Sequence, residues 1–407
     1  MKDLESEYDI FESGLNIQAP WHISYRTLTE KEKTLHIYIR YGRGSRFSCP
    51  NCGHHHCPVH DILDQDRTWR HLDFHLDFWP YMTILHAKMP RVNCPSCRKI
   101  RTINIDWERP GAGLSHAFKY HVMSLMAEMP VYAAARLVEE HDTRVWRVFH
   151  YYVEEAMEQI ELTNVRHVAV DETSSRRGHQ YVTLFMDSDT KRLLFATRGK
   201  GADVLKTFRH FLINKGISPS QIKEMCMDMY PSFIAGLERH FPDTAVTFDK
   251  FHVMKIVNEG VDKVRRQEQS EQPALKKTRY LWLKNQRNLS HEQEEKMTKL
   301  KDMDLATGRA YRLKLSLQEF WTMPGAVADL YLHEWRQWAM CSRLQPMIDV
   351  GKTLKNHEYG ILRWFRTRMT NGLIEGVNSL IQATKRKARG YRSTGNLIAI
   401  MYATVNK

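Results

Sequence analysis

The sequence lacks the features of an exported or membrane-spanning protein. No apolar run approaches the roughly 20 consecutive residues that a membrane-spanning helix requires. The first ten residues, MKDLESEYDI, are too acidic and polar for a secretory signal peptide. We therefore expect a cytoplasmic protein that has no membrane partner.

Acidic residues are in the minority. The 407 residues include 47 Asp and Glu against 60 Lys and Arg, which gives a formal net charge of +13. A content of 42% hydrophobic and 26% charged residues is typical of a folded chain of two or three domains and excludes a disordered protein. The excess of positive charge favours a polyanionic partner such as nucleic acid, although many basic proteins have none.

Cysteine is also scarce, and four of the seven cysteines fall in two CxxC pairs. Cys49-Pro-Asn-Cys52 and Cys94-Pro-Ser-Cys97 each have the spacing of a zinc knuckle, in which a tight turn directs backbone amides at sulfur. The two pairs together predict one tetrahedral Zn²⁺ site that stabilises a small N-terminal module. Free thiols or a redox pair are the alternative. The histidines at 54–56 could replace a ligand, but a solvated turn is the simpler interpretation.

Three apolar stripes at helical spacing follow residue 113. They lie in SHAFKYHVMSLMAEMP, VYAAARLVEEH and DTRVWRVFHYYVEEAM. Two short helices separated by a tight break are the layout of a helix-turn-helix that reads the major groove of DNA. Arg144 and Arg147 would then face DNA, on the side opposite the apolar stripe of the third helix. Plain packing or dimerisation is the alternative, because any three-helix unit has such stripes.

The segment from residue 165 carries the pattern of an α/β domain. VRHVAVDETS, QYVTLFMDSD and KRLLFATRGK predict three strands, and two helices alternate with two further strands after them. The order β-β-β-α-β-α-β is that of a ribonuclease H-like fold, in which the first and fourth strands are neighbours. Asp171 and Asp228, at the ends of those two strands, should therefore meet at one edge of the sheet.

These motifs together resemble a known family, the DDE transposases of bacterial insertion sequences, in the ISL-three-type subfamily. The resemblance covers about residues 45–405. It rests on the CPxCG zinc module, the helix-turn-helix, and the motifs VDE, MDMYPSF, FDKFHV and NGLIEGVNSLIQATKRKARGYR. It implies a catalytic triad of Asp171, Asp228 and Glu375 that binds Mg²⁺ or Mn²⁺. Two ions held by these carboxylates would activate the attacking oxygen and steady the leaving oxygen.

The resemblance also implies partners and an organisation. The substrate would be double-stranded DNA, both the inverted-repeat ends of the element and the target, bound by a homodimer at the nucleoid. The expected segments are an N-terminal region with the zinc module (1–108), a helix-turn-helix domain (109–160), the first part of the ribonuclease H-like core (161–254), a helical insertion (255–365) and a C-terminal helical part with the last acid (366–407).

Other acids near the predicted triad have simpler interpretations. Glu172 follows Asp171 on a strand, so its side chain should point to the opposite face. Asp249, at the end of the fifth strand in FDKFHV, competes with Asp228 for the role of second carboxylate. Glu375 lies on a helical pattern whose inner face also carries Asn371 and Asn378.

Basic residues near these acids are candidates for contacts with DNA phosphates. They lie in two places, after the first predicted strand and along the segment that follows Glu375: Arg176, Arg177, Lys385, Arg386 and Arg389. The tryptophans of the insertion could stack on unpaired bases, but a role in the hydrophobic core is the more common one.

Two other functions are compatible with these motifs. One is a non-catalytic zinc and helix-turn-helix regulator of DNA that derives from a transposase, and the other is a junction-resolving nuclease of the same fold. The complete triad disfavours the first, and the modules for binding DNA ends disfavour the second. The sequence does not specify the terminal repeats, the target site, the oligomeric state, or excision against copying.

Overall fold

The chain forms two compact units in a computed structural model, Met1–Phe149 and His150–Lys407. The structure describes residues 12–13, 15, 17–76, 79–108, 113–176, 178 and 180–406. Among these, no helix combines the length and the apolar character that crossing a membrane requires.

The first unit begins with a seven-stranded sheet in which five strands follow the order β1-β2-β6-β4-β3, and β5 and β7 each pair with β6. Its buried core includes Leu85, Trp69 and the cysteines Cys49 and Cys94. The strands are β1 (Trp21–Thr29), β2 (Thr34–Tyr41), β3 (Arg46–Phe47), β4 (Cys57–Arg70), β5 (Phe74–Leu76), β6 (Trp79–Asn93) and β7 (Ile100–Thr102).

Three helices follow, as the apolar stripes predict: α1 (His116–Glu128), α2 (Val131–Leu137) and α3 (Asp142–Glu158). The side chain of Ser115 caps α1 by accepting a hydrogen bond from the amide of Phe118 at 3.2 Å. The stripe of α3 is buried at Val145, Val148 and Phe149. The two short helices and the third helix thus form the expected helix-turn-helix.

The second unit contains the predicted ribonuclease H-like sheet. Its strands are β8 (His167–Arg176), β9 (Gln180–Asp187), β10 (Leu193–Arg198), β11 (Glu224–Met227) and β12 (Ala245–Phe248), in the spatial order β10-β9-β8-β11-β12. The first three strands are antiparallel, whereas β11 pairs in parallel with both β8 and β12. The helices α4 (Ala202–Asn214) and α5 (Pro231–His240) connect the strands, which confirms the order β-β-β-α-β-α-β.

A helical segment lies between β12 and the last predicted acid. Its helices are α6 (Lys250–Glu268), α7 (Arg279–Leu283), α8 (His291–Lys301), α9 (Ala306–Phe320), α10 (Gly325–Cys341), α11 (Gln345–Asn356) and α12 (Glu358–Thr367). Trp282 and Trp335 are buried in its core, and Trp338 is exposed. Two helices end the chain, α13 (Gly372–Lys387) and α14 (Thr394–Val405).

One detail of the strand pattern was wrong. The sequence suggests that the first strand of this sheet ends at Asp171, but β8 continues to Arg176 by pairing with β9. The parallel neighbour β11 is the strand that ends early, because its pairing with β8 covers only His167, Val168 and Ala169. The edge of the sheet beside Asp171 is therefore created by the end of β11.

Candidate active site and zinc site

The register of the parallel strands places three aspartates in one row. Cys226 of β11 pairs with Ala169 of β8, so Asp228 lies level with Asp171, two residues further along each strand. Met227 pairs with Phe248 of β12, so Asp249 is the next acid in the row. The sheet thus brings together the two aspartates that the sequence predicts to meet.

Asp171 and Asp228 share their cluster with a histidine. The ligand atoms of Asp171, Asp228 and His252 all lie within 4.8 Å of one another, and all three side chains are half-buried. His252 Nε2 is 2.6 Å from Asp228 Oδ1. Sequence reasoning missed His252 as a site residue. Its only signal was its place in FDKFHV, in the first turn of the helix that follows β12.

The helix α13 carries Glu375 to this edge of the sheet. Asn378 donates a hydrogen bond from Nδ2 to Asp171 Oδ2 at 2.9 Å, one turn after Glu375. Gln382, one further turn along, donates to Thr173 Oγ1 at 3.0 Å. Asn371, at the start of the helix, is fully buried and donates from Nδ2 to the carbonyl of Val170 at 3.0 Å. The polar face that the sequence predicts on this helix therefore lies against β8.

Glu375 is close to the aspartates but lies outside the cluster that they form with His252. Among the residues that the structure describes, the ligand atoms of Asp171, Asp228 and His252 lie within 4.8 Å of one another. The Glu375 carboxylate is not part of this group. Burial raises the pKa of Glu375, and the charges of Asp249 and Asp228 raise it further, against an opposing effect of His252. Its carboxylate is thus within electrostatic reach of the cluster.

Asp249 holds the surrounding chain together. It is fully buried, and its Oδ2 accepts a hydrogen bond from the amide of Phe251 at 3.1 Å, which caps α6. Its Oδ1 accepts from Thr370 Oγ1 at 2.9 Å and from the amide of Asn371 at 3.1 Å. Both oxygens therefore bind protein donors and fix the loop that leads into α13.

The two adjacent acids of β8 differ in their surroundings. Burial raises the pKa of Asp171 to about 6, although the amide of Glu172 opposes the shift by donating to Oδ1 at 2.8 Å. Burial and the charge of Asp228 raise the pKa of Glu172 to about 7, against an opposing effect of Lys200. Alternation along the strand directs Glu172 to the opposite face from Asp171.

The donor set of the cluster fits a divalent cation. Two half-buried carboxylates that repel each other gain from a positive ion between them, and hard oxygen ligands are those that Mg²⁺ prefers. His252 already contacts Asp228, and for this reason it fits a role in orienting that carboxylate. Asp171 and Asp228 are the residues best placed to hold an ion.

The four paired cysteines converge in the first unit. The sulfurs of Cys49, Cys52, Cys94 and Cys97 lie within 4.8 Å of one another. The distance from Cys49 Sγ to Cys97 Sγ is 3.7 Å, and that from Cys52 Sγ to Cys94 Sγ is 3.5 Å. Zn–S bonds of about 2.3 Å in a tetrahedron require sulfurs about 3.8 Å apart, so this donor set fits Zn²⁺.

The turns around these sulfurs have the amide arrangement of zinc knuckles. The amides of Cys97 and Ser96 lower the pKa of Cys94 to about 6, and those of Asn51 and Cys52 lower the pKa of Cys49. The histidines at 54–56 are exposed, as the sequence predicts for a solvated turn. Cys57 is buried but lies outside the four-sulfur group and donates to the carbonyl of His54 at 3.3 Å.

The basic residues predicted to bind DNA have different surroundings. Arg147 is exposed on α3, whereas Arg144 donates to Glu140 at 3.0 Å and to the carbonyl of Gly113 at 2.8 Å. Lys385 is half-buried and donates to the carbonyl of Ser174 at 3.0 Å.

The remaining candidates lie near the ends of β8 and α13. Arg386 and Arg389 are exposed, and Arg176 donates to the carbonyl of Tyr391 at 2.9 Å. Arg177 lies outside the described residues.

We predict that the purified protein carries about one zinc per chain, because four converging thiolates bind this ion tightly. Changing both Cys49→Ser and Cys52→Ser should remove it, and Cys57→Ser, which retains the hydrogen bond to His54, should not. Elemental analysis of protein purified without chelators is the measurement. Zinc retained by the double variant, or lost from Cys57→Ser, would mean that other ligands hold the ion.

We predict a pH-dependent stabilisation by Mg²⁺. Unfolding returns Asp171 and Glu172 to pKa values of about 4, so their protonated forms stabilise the metal-free fold below that pH. This contribution is lost as the pH rises through about 6 to 7, and over that range Asp171 becomes charged and able to bind a cation. The increase in melting temperature on adding Mg²⁺ should therefore be larger at about pH 8 than at about pH 5.

Differential scanning fluorimetry at both pH values measures this effect, with Asp171→Asn as the variant that should lose most of it. An equal increase at the two pH values, or an undiminished increase in the variant, would contradict a metal site at these acids.

Comparisons with known proteins identify the family of the chain. Residues 168–401 match the family described as transposase, and residues 103–153 match the helix-turn-helix domain of transposase family ISL3. The chain is 27% identical over 373 residues to the transposase for insertion sequence element IS1557 of Mycobacterium tuberculosis, covering 83% of this chain and 81% of that protein. It is 24% identical over 370 residues to the transposase for IS1001 of Bordetella parapertussis, covering 88% and 89%. The chain therefore belongs to the ISL3 family of DDE transposases.

Proposed function

We propose that the chain binds the ends of an insertion sequence and cleaves and transfers DNA strands with divalent metal ions held by Asp171, Asp228 and Glu375. One observation carries the proposal. The pairing of Ala169 with Cys226 sets two half-buried aspartates level at a sheet edge, beside the helix that carries a third acid. Three carboxylates gathered in this way are the oxygen ligands that phosphodiester cleavage with two metal ions needs.

Each residue then has a separate task. Asp171 and Asp228 hold metal from the two strands, and Glu375 completes the site from α13. The bound ions would activate the attacking oxygen and stabilise the leaving oxygen. His252 orients Asp228, since its Nε2 lies 2.6 Å from Oδ1 of that carboxylate. Burial alone would lower the pKa of His252, but the hydrogen bond to Asp228 and the charges of Asp228 and Asp171 raise it overall.

Asn378 orients the carboxylate of Asp171. Its amide donates to Asp171 Oδ2, and the neighbouring backbone amide of Glu172 donates to Oδ1. This fixes the rotation of the Asp171 carboxylate while α13 is docked. Asp249 stabilises the same arrangement, because it accepts a hydrogen bond from the amide of Asn371 at the start of α13.

The first unit supplies the DNA-binding part of the proposal. The helix-turn-helix would read the ends of the element, and the zinc module at 1–108 would stabilise the fold beside it. Arg147 is the better candidate for contact with a base edge, because its side chain is exposed and Arg144 is engaged by Glu140 and Gly113. We further propose that the protein acts as a homodimer on paired inverted-repeat ends.

Removing any one carboxylate of the proposed triad should abolish cleavage and spare DNA binding. Asp171→Asn, Asp228→Asn and Glu375→Gln should each lower the rate of strand cleavage about 10²-fold or more, the scale expected when one preorganised charged group is lost. The assay is nicking of a duplex taken from the DNA that flanks the reading frame, with Mg²⁺ or Mn²⁺. Asp189→Asn, at an exposed hairpin turn, is the control that should retain cleavage.

Full cleavage by the Asp228→Asn protein would place the second carboxylate elsewhere, with Asp249 as the first candidate. Binding without any metal-dependent cleavage in the unaltered protein would favour the non-catalytic regulator instead.

The two arginines of α3 should differ in what their removal does. Arg147→Ala should weaken binding to the element's ends by about 1–3 kcal/mol and leave binding to random duplex almost unchanged, as loss of a base contact does. Arg144→Ala should in addition lower the melting temperature, because it breaks the contacts with Glu140 and Gly113. Competition titrations together with thermal unfolding separate the two effects. Equal losses on specific and random DNA for Arg147→Ala would mean that α3 does not read bases.

A further inference from the structure

A basic pocket lies at the end of β8 away from the aspartates. Its volume is about 480 Å³, and three arginines from separate parts of the chain line it with polar residues of the turn before α14. The lining residues that matter here are Arg176, Arg198, Arg392, Ser393, Thr394 and Gly395. The lining includes no acidic side chain among the residues that the structure describes.

The sheet and a turn bring the three arginine residues to one pocket. Arg176 ends β8 and pairs with Gln180 at the start of β9, while Arg198 ends β10, which pairs with the other side of β9. Arg176 also donates hydrogen bonds to the carbonyls of Tyr391 and Arg392. These bonds hold the turn that carries Arg392 against the end of the sheet, so all three arginines, although exposed, line the same pocket.

The start of α14 adds to the positive potential of the pocket. Ser393 caps the helix by accepting a hydrogen bond from the amide of Asn396 at 3.1 Å, and Thr394 and Gly395 form the first turn at the pocket wall. Backbone amides at a helix start favour an anion. The pocket thus combines three arginine side chains with a helix N-terminus, which is the chemistry that recognises a phosphate group.

The position of the pocket relates it to the proposed active site. Arg176 is five residues beyond Asp171 on the same strand, which corresponds to about 16 Å at roughly 3.3 Å per residue. Lys385 lies between the two, where it donates to the carbonyl of Ser174. A DNA strand whose scissile phosphate lies at Asp171 would pass Lys385 and reach the pocket a few nucleotides away.

We propose that this pocket binds one non-scissile backbone phosphate of the DNA strand and so sets which phosphodiester bond reaches Asp171 and Asp228. The inference rests on the proposed function, because it takes the aspartates as the place of cleavage. Phosphate contacts fix the register of a protein on DNA without reading sequence. Substitutions that weaken phosphate binding in the pocket should therefore broaden the distribution of cleavage positions as well as weaken DNA binding.

Two substitutions lower the positive charge of the pocket in different ways. Arg198→Gln removes one positive charge. Gly395→Glu adds a carboxylate at the pocket wall, where space is open because a Cβ there would meet only Ser393 Oγ at 3.9 Å. Glutamate in the first turn of a helix is favourable, so this variant should fold at least as well as the unaltered chain. Arg239→Gln, an exposed arginine on α5, is the control of equal charge change.

Binding to a random-sequence duplex is measured first, against salt, in the Asp171→Asn background so that cleavage plays no part. Arg198→Gln and Gly395→Glu should each reduce the slope of log K against log salt by about 1, and Arg239→Gln should not. Unchanged slopes for both pocket variants would overturn the proposal. If the Asp171→Asn protein without a pocket substitution does not bind DNA, that result would instead refute the proposed function.

Cleavage is measured next in the chain that retains Asp171, on a duplex from the flanking DNA with single phosphates replaced by neutral methylphosphonates. One replacement a few nucleotides from the cleavage point should reduce cleavage by the unaltered protein about tenfold. The same replacement should have little further effect on Arg198→Gln. Equal sensitivity of both proteins at every position would overturn the proposal.

Inorganic phosphate is the probe for a different source of the anion. Calorimetric titration should detect no tight binding of phosphate alone, since the proposal requires the DNA strand to deliver it. Tight binding that Gly395→Glu abolishes, together with unchanged DNA slopes, would assign the pocket to a free anion and overturn the proposal for DNA.

Discussion

The parallel pairing of β8 with β11 is the constraint on which the candidate site depends. Side chains alternate along both strands, so a shift of one residue would turn either Asp171 or Asp228 to the other face of the sheet. The early end of β11 then leaves a gap beside β8, where water, metal or DNA can approach the two carboxylates. Burial at this edge raises the pKa of Asp171 and prepares it to gain from a cation.

The second constraint is the attachment of α13 across that gap. Asn371 donates a hydrogen bond to the carbonyl of Val170, the first residue of β8 beyond the pairing with β11, and Asp249 accepts one from the amide of Asn371. Asn378 then contacts Asp171 itself. A site that joins the last acid to the first two across a long helical insertion needs such anchors, because the intervening chain alone does not fix their separation.

Local patterns predicted the strands and helices, and hence the meeting of Asp171 with Asp228, because strand order follows from element order in this fold. The four cysteines were predictable from spacing alone. Glu375 could be predicted as a site residue only from the family motif, because no local sequence pattern distinguishes a catalytic acid on a half-exposed helix from a solvated one. His252 was missed because its role depends on contact with Asp228, which only folding brings about. The sequence could not decide between Asp249 and Asp228, because the role of Asp249 depends on its hydrogen bonds to Thr370 and Asn371 in the folded chain.

A crystal structure of the protein with Mn²⁺, bound to a duplex of the element's end, would show whether these carboxylates hold the metal, because anomalous scattering locates the ion. We expect manganese between the carboxylates of Asp171 and Asp228, with oxygen ligands at about 2.0–2.2 Å and Glu375 completing the site. Manganese bound elsewhere, or held by Asp249 in place of Asp228, would contradict this assignment.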